Sequence, residues 1–256
     1  MSAAPRRRTP ALAAALLAVL ASAAPAVAAA PGSLQAPMIP NGVAPHLAGT
    51  HGAVLHSTSS NWSGYAATGA RFTSVSASWV QPAATCTGTS TWSSFWIGLD
   101  GDGSNSVEQT GSEVDCSSGQ PQYYAWYEMY PAYPVNYSNT VRPGDHFNST
   151  ITTNGSGSFT LTLTDSTQGW TRTVNKSLKN AALASAEIIA EAPSSSSGVL
   201  PLTNFGKVSF TNATANGQAI GNFSPDAITM ASGSTTKAAT SGLSGGNAFS
   251  VTFKHS

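Results

Sequence analysis

From Asn61 onward, apolar and polar side chains alternate in short runs, and Gly, Asn, Ser or Pro breaks each run. A period of two sends successive side chains to opposite faces of an extended strand, whereas a helix needs a period near 3.6. Phe72–Val80, Ser94–Leu99, Tyr123–Tyr130, Phe159–Leu163, Ala186–Ala190, Val208–Phe210 and Ala248–Phe253 are the predicted strands. Only Leu178–Ser185 suggests a helix, and it is short. Many short strands with turn residues between them predict an all-β chain, an antiparallel sandwich or barrel in a single domain.

The first residues follow a different logic. Arg6, Arg7 and Arg8 precede an Ala/Leu-rich run over Ala11–Ala24, and Ala26-Val27-Ala28 offers a small-x-small cleavage pattern. Residues 1–30 therefore read as a signal peptide and predict a secreted protein. No later run is long enough to span a bilayer, so no membrane association is expected after its removal. Residues 31–57 are rich in Pro, Ala and Gly, carry His46, His51 and His56, and read as a propeptide or flexible leader. Residues 58–256 form the expected folded domain.

The chain holds 11 basic and 11 acidic residues, and removal of the three leading arginines leaves it mildly acidic. Without a Lys/Arg run, nucleic acid is not an expected partner. A surface of hydroxyls and amides with few carboxylate ion pairs hints at acid tolerance. Cys86 and Cys116 are the only cysteines, and in an exported chain they predict one disulfide.

Alternation also sorts the side chains that could carry chemistry. Phe95, Ile97 and Leu99 make one face of their strand, while Trp96, Gly98 and Asp100 make the other. In the next aromatic strand, Tyr124, Trp126, Glu128 and Tyr130 oppose Tyr123, Ala125, Tyr127 and Met129. Rings interleaved with a carboxylate suit an extended polymer in a groove, or a ladder that merely stabilises the sheet. Glu187 and Glu191 share one face of an otherwise apolar strand, where a raised pKa and acid–base work become available. Periodicity alone does not choose among Glu128, Glu187 and Glu191.

Other chemistries are poorly supported. There is no His-Glu-x-x-His, and His146 and His255 are the only histidines in the body of the domain, so neither a metal nor a cofactor is expected. Gly242-Leu243-Ser244-Gly245-Gly246 matches a nucleophile-elbow string but lacks its strand-to-helix setting. Asp-Thr/Ser-Gly loops of the aspartic peptidase type are absent.

Five ordered segments carry a resemblance. They are Asn61-Trp62-Ser63-Gly64-Tyr65, Trp96-Ile97-Gly98-Leu99-Asp100-Gly101-Asp102, Glu108-Gln109-Thr110-Gly111, Ala125-Trp126-Tyr127-Glu128-Met129-Tyr130-Pro131 and Ala186-Glu187-Ile188-Ile189-Ala190-Glu191. In order and spacing this set resembles the fungal glutamic peptidases, or eqolisins, from about Asn61 to Phe253. The Ala-rich leader suggests a bacterial relative.

The resemblance implies a concanavalin-like antiparallel β-sandwich of two sheets with a substrate cleft across one face. It also implies an acid endopeptidase, insensitive to pepstatin and acting on polypeptides. It places the catalytic pair at Gln109 and Glu191, and substrate-facing residues at Trp96, Asp100, Trp126, Glu128 and Tyr130. A monomer is the expected state. The competing reading is a carbohydrate-binding or glycoside-hydrolysing β-sandwich, with Glu128 and Glu191 as a carboxyl pair about 5 Å apart.

Overall fold

The computed structural model describes Met1, residues 56–195 and residues 198–256. The signal peptide, His46 and His51 fall outside the described residues. His56, at the end of the expected leader, opens the first strand.

The first half of the domain contains β1 (His56–Ser59), β2 (Trp62–Ala67), β3 (Ser74–Val80), β4 (Thr91–Leu99), β5 (Val107–Ser117), β6 (Gln120–Tyr130), β7 (Val135–Asn136), β8 (His146–Thr153) and β9 (Ser158–Asp165). The second contains β10 (Trp170–Ser177), β11 (Ala186–Glu191), β12 (Ser194–Ser195), β13 (Gly198–Val199), β14 (Lys207–Ala215), β15 (Gln218–Ala219), β16 (Asp226–Ser232), β17 (Thr235–Thr240) and β18 (Phe249–Phe253). Among the described residues, the one helical turn is a 3₁₀ turn at Ile220–Phe223.

Hydrogen bonding runs β10-β9-β8-β3-β14-β18-β17-β16-β2-β11-β4-β5-β6-β7. Every pairing on this path is antiparallel, while β1 adds to β16 in parallel. The ends of this path fold onto each other as a β-sandwich. Phe72, Trp79, Phe147, Phe159 and Phe210 from one half pack with Phe95, Ile97, Leu99, Val114 and Ile188 from the other. Trp79 stacks on Phe147 with centroids 5.5 Å apart. Its indole N–H donates to Ser112 Oγ at 2.8 Å, so a buried hydrogen bond crosses between the layers. A fully buried side chain of this size contributes roughly 2–3 kcal/mol, which explains why alternation dictates the layers.

Strand β5 was not among the predicted strands. Its sequence, Val-Glu-Gln-Thr-Gly-Ser-Glu-Val-Asp-Cys-Ser, contains residues that disfavour strands in isolation. Pairing along its whole length with β4 and β6 overrides that preference. The segment 178–185 is a loop rather than a helix. Leu183 adopts a φ of +55°, and the Asp100 carboxylate accepts N–H bonds from Leu183 at 2.9 Å and Ala184 at 2.7 Å. Cys86 and Cys116 form the expected disulfide, with Cα atoms 5.4 Å apart.

Candidate active site

Strand β11 lies between β2 and β4, and β5 lies between β4 and β6. Register along these five strands produces three rows of side chains on one face. Glu191 is level with Trp62 and Ser94, Ser94 with Glu113, and Glu113 with Tyr124. One step along, Ile189 is level with Trp96, Trp96 with Gly111, and Gly111 with Trp126. One step further, Glu187 is level with Gly98, Gly98 with Gln109, and Gln109 with Glu128. Trp62, Trp96, Tyr124, Trp126 and Ile189 form a second apolar cluster, distinct from the inter-sheet core, with Tyr130 packed at its margin.

This face is no solvent-facing ladder. Trp96, Trp126, Glu113, Glu128 and Glu187 are fully buried, and Gln109 and Glu191 expose only 1%. The edge of the Trp62 ring meets Trp96 at a centroid distance of 5.1 Å.

Glu191 is held by donors. Asn61 Nδ2 donates to its Oε1 at 3.1 Å, and Trp96 Nε1 donates to its Oε2 at 2.7 Å. Burial pushes its pKa up to about 8, while Trp96, Trp62 and Asn61 each pull it down. Gln109 has a different environment. Its Nε2 donates to Glu128 Oε2 at 2.6 Å, and its Oε1 accepts no hydrogen bond.

The Trp96 ring occupies the diagonal between Gln109 and Glu191; Gly98 makes room for the ring, and Gly111 for the backbone and Cβ that carry it. A Cβ on Gly98 would lie 2.8 Å from Trp96 Cζ3, and one on Gly111 would lie 2.6 Å from Trp96 Cβ. The benzo edge therefore covers the row of Gln109, while the indole nitrogen reaches the row of Glu191.

The face holds further acids. Burial raises Glu113 well above the carboxylate range, with the charges of Asp115 and Glu191 adding to it. Asp115 rises to about 7, chiefly through burial, and accepts the Tyr124 hydroxyl at 2.7 Å. Glu187 is raised first by burial, then by the nearby Asp102 and Asp100. Its Oε1 accepts the Asp102 backbone N–H at 3.4 Å.

The structure brings Gln109, Glu191, Trp96, Trp126 and Glu128 onto one face, with Tyr130 at its edge. Asp100 does not join them. Strand β4 ends at Leu99, Asp100 turns at a φ of +65°, and its carboxylate is committed to the 183–184 backbone. Asn61, Trp62 and Glu113 enter the site without having been singled out as site residues. Asn61 acts on a residue 130 positions away, so only the β2–β11 pairing reveals it.

Residues 60–253 match the model of the Peptidase A4 family. The chain is 35% identical over 135 residues to aspergillopepsin-2 of Aspergillus niger, covering 50% of this chain and 48% of that one. It is also 35% identical over 123 residues to scytalidopepsin B of Scytalidium lignicola, covering 47% and 45%. It thus spans about half the length of the curated relatives it matches. Among solved structures, scytalido-glutamic peptidase with a transition state analog inhibitor superposes with a TM-score of 0.67 at 26% identity, covering 76% of this chain and 98% of that one. Aspergilloglutamic peptidase from Aspergillus niger gives 0.57 at 28% identity, covering 64% and 99%.

Proposed function

Because the chain belongs to the Peptidase A4 family, we propose that it is a secreted glutamic-type endopeptidase that cleaves polypeptides in acid, with Glu191 and Gln109 as its catalytic pair. The observation that carries this reading is the carboxyl of Glu191. It is buried on an aromatic face, with an N–H donor on each oxygen.

Peptide hydrolysis needs an activated water, a stabilised oxyanion and a proton for the leaving nitrogen. Burial is the cause that raises Glu191, and the Trp96 and Asn61 donors both favour the charged form. A hydrated, substrate-filled cleft weakens the first influence and keeps the others, which favours the carboxylate. In that form Glu191 takes a proton from water and later returns it to the amine. An amide nitrogen has two N–H groups. Glu128 takes one from Gln109 and fixes its orientation. The other donates to the developing oxyanion, for which one such donor is worth about 3 kcal/mol.

The carbohydrate reading gains no support from this geometry. Glu128 and Glu191 lie three strands apart and four residues out of level, roughly 19 Å between backbones, and Glu128 is turned toward Gln109. The test uses two variants in an acid casein digest. Glu191→Gln should fold and lose proteolysis, while Glu187→Gln should fold and keep it. Wild-type rates from Glu191→Gln would overturn the assignment.

A further inference from the structure

The Asn61 amide donates to Glu191, and an amide of this kind has two unlike ends of nearly equal size. One carries N–H groups and the other is a carbonyl oxygen. Which end faces the Glu191 carboxyl decides the sign of the contact. The N–H end favours the carboxylate, and the oxygen end opposes it.

The backbone of Asn61 is fixed beside Glu191. Trp62 is level with Glu191 in the β2–β11 pairing, and the Asn61 carbonyl accepts the Ala192 N–H at 2.8 Å. The turn of the amide is fixed by Ser59. The Ser59 hydroxyl donates to Asn61 Oδ1 at 3.1 Å, which directs Nδ2 to Glu191 Oε1, also at 3.1 Å. That hydroxyl is itself held. Its oxygen accepts the backbone N–H of Asn61 at 3.3 Å and of Trp62 at 3.1 Å, in a serine turn that leads from β1 into β2. A hydroxyl has one proton and two lone pairs, so two N–H groups on the oxygen leave the proton for Asn61. Both side chains are buried, each with 3% exposed, which limits competition from water. Strand β1 places Ser59. His56–Ser59 pairs in parallel with Ala227–Met230, and the Ser57 hydroxyl donates to Asp226 at the start of β16.

We infer that Ser59 is a positioning residue of the site, fixing the Asn61 amide so that its N–H end stays on the Glu191 carboxyl. Its bearing on catalysis rests on Glu191 as the proposed base. Glu128 holds the Gln109 amide in the same way, so each member of the proposed pair has its own orienting contact.

The Glu191 carboxyl is followed in the full chain by infrared titration of its protonated C=O band, identified as the band lost in Glu191→Gln. This readout is independent of peptidase activity. The Asn61 bond lowers the pKa of Glu191. Ser59→Ala releases the amide to present its oxygen, so the titration should move to higher pH by about one unit. Ser59→Thr keeps the hydroxyl and should titrate as wild type does. Asn61→Ala should titrate high by itself, and adding Ser59→Ala to it should shift the titration no further. Ser59→Cys, with a weaker donor of similar shape, should shift the same way and keeps the test available if Ser59→Ala does not fold. An unshifted titration in folded Ser59→Ala or Ser59→Cys, or a further shift in the double variant, overturns the inference. The acid limb of kcat/KM should follow the infrared shift. A shifted titration with an unmoved acid limb would support the hold of Ser59 on Glu191 and overturn Glu191 as the working base.

Discussion

The indole N–H of Trp96 donates to Glu191 Oε2 at 2.7 Å, and the same ring extends over Gly98, the register partner of Gln109. One side chain therefore connects the two halves of the proposed catalytic pair. It fills the ground between them and tunes the carboxyl it touches.

Trp96→Phe keeps the ring and removes the donor. A hydrogen bond to a charged group is worth about 1.5–3 kcal/mol, so kcat/KM should fall roughly ten- to a hundredfold. The bond lowers the pKa of Glu191, so its loss must raise it. If the carboxylate is the working form, the acid limb of the kcat/KM profile moves to higher pH. A pH–rate profile superimposable on wild type would show that this bond does not tune catalysis.

Gln109→Ala removes the proposed oxyanion donor from a residue that contributes little to the apolar cluster. The loss should fall on kcat, by about 10²–10³, with little change in KM. Steady-state kinetics on a fluorogenic peptide measure the split. A change confined to KM would make Gln109 a binding residue instead.

Alternation was enough to place Trp96, Trp126, Glu128 and Tyr130 on one face, because burial on both sides of a sheet enforces a strict period of two. It failed at Asp100, where a left-handed turn ends the strand one residue earlier. The proposed role of Gln109 rests on resemblance alone, since an amide carries no charge signature in a sequence. Asn61 was hidden by the 130 residues that separate it from Glu191. Low charge in the sequence implies a hydroxyl-rich surface with few ion pairs. The fold adds a cause that composition does not contain, which is that every acidic side chain is buried.

That burial fixes the direction of the pH dependence of stability. Glu108 is pushed up to about 8 by burial and then by the charge of Asp100, Glu191 rises to about 8, and Asp115 rises to about 7. A carboxyl raised in the folded state binds its proton more tightly folded than unfolded. Its stabilisation is complete below about pH 4, the unfolded value, and is lost as pH rises through 7 to 8. Each such proton contributes a slope of about 1.4 kcal/mol per pH unit within that window. Denaturant midpoints should therefore fall steadily from pH 4 to pH 8. A flat or rising series would mean that these carboxyls ionise as readily folded as unfolded.

Gly98 gives the most specific check on the Trp96 arrangement. An added Cβ would stand 2.8 Å from Trp96 Cζ3 and 3.2 Å from Val107 Cγ1, both side-chain atoms, whereas at Gly111 it would stand 2.2 Å from the Phe95 carbonyl oxygen. The two substitutions should therefore separate. Gly111→Ala forces backbone apart and should unfold the domain or cost several kcal/mol, as overpacking does. Gly98→Ala can be met by tilting the indole, so it should cost only about 1–3 kcal/mol. Tilting moves Nε1 away from Glu191, so Gly98→Ala should also reproduce the upward shift of the acid limb expected for Trp96→Phe. Adding Gly98→Ala to Trp96→Phe should then shift the limb no further. An additive shift in the double variant would show that Gly98 acts on Glu191 by a route other than the Trp96 hydrogen bond.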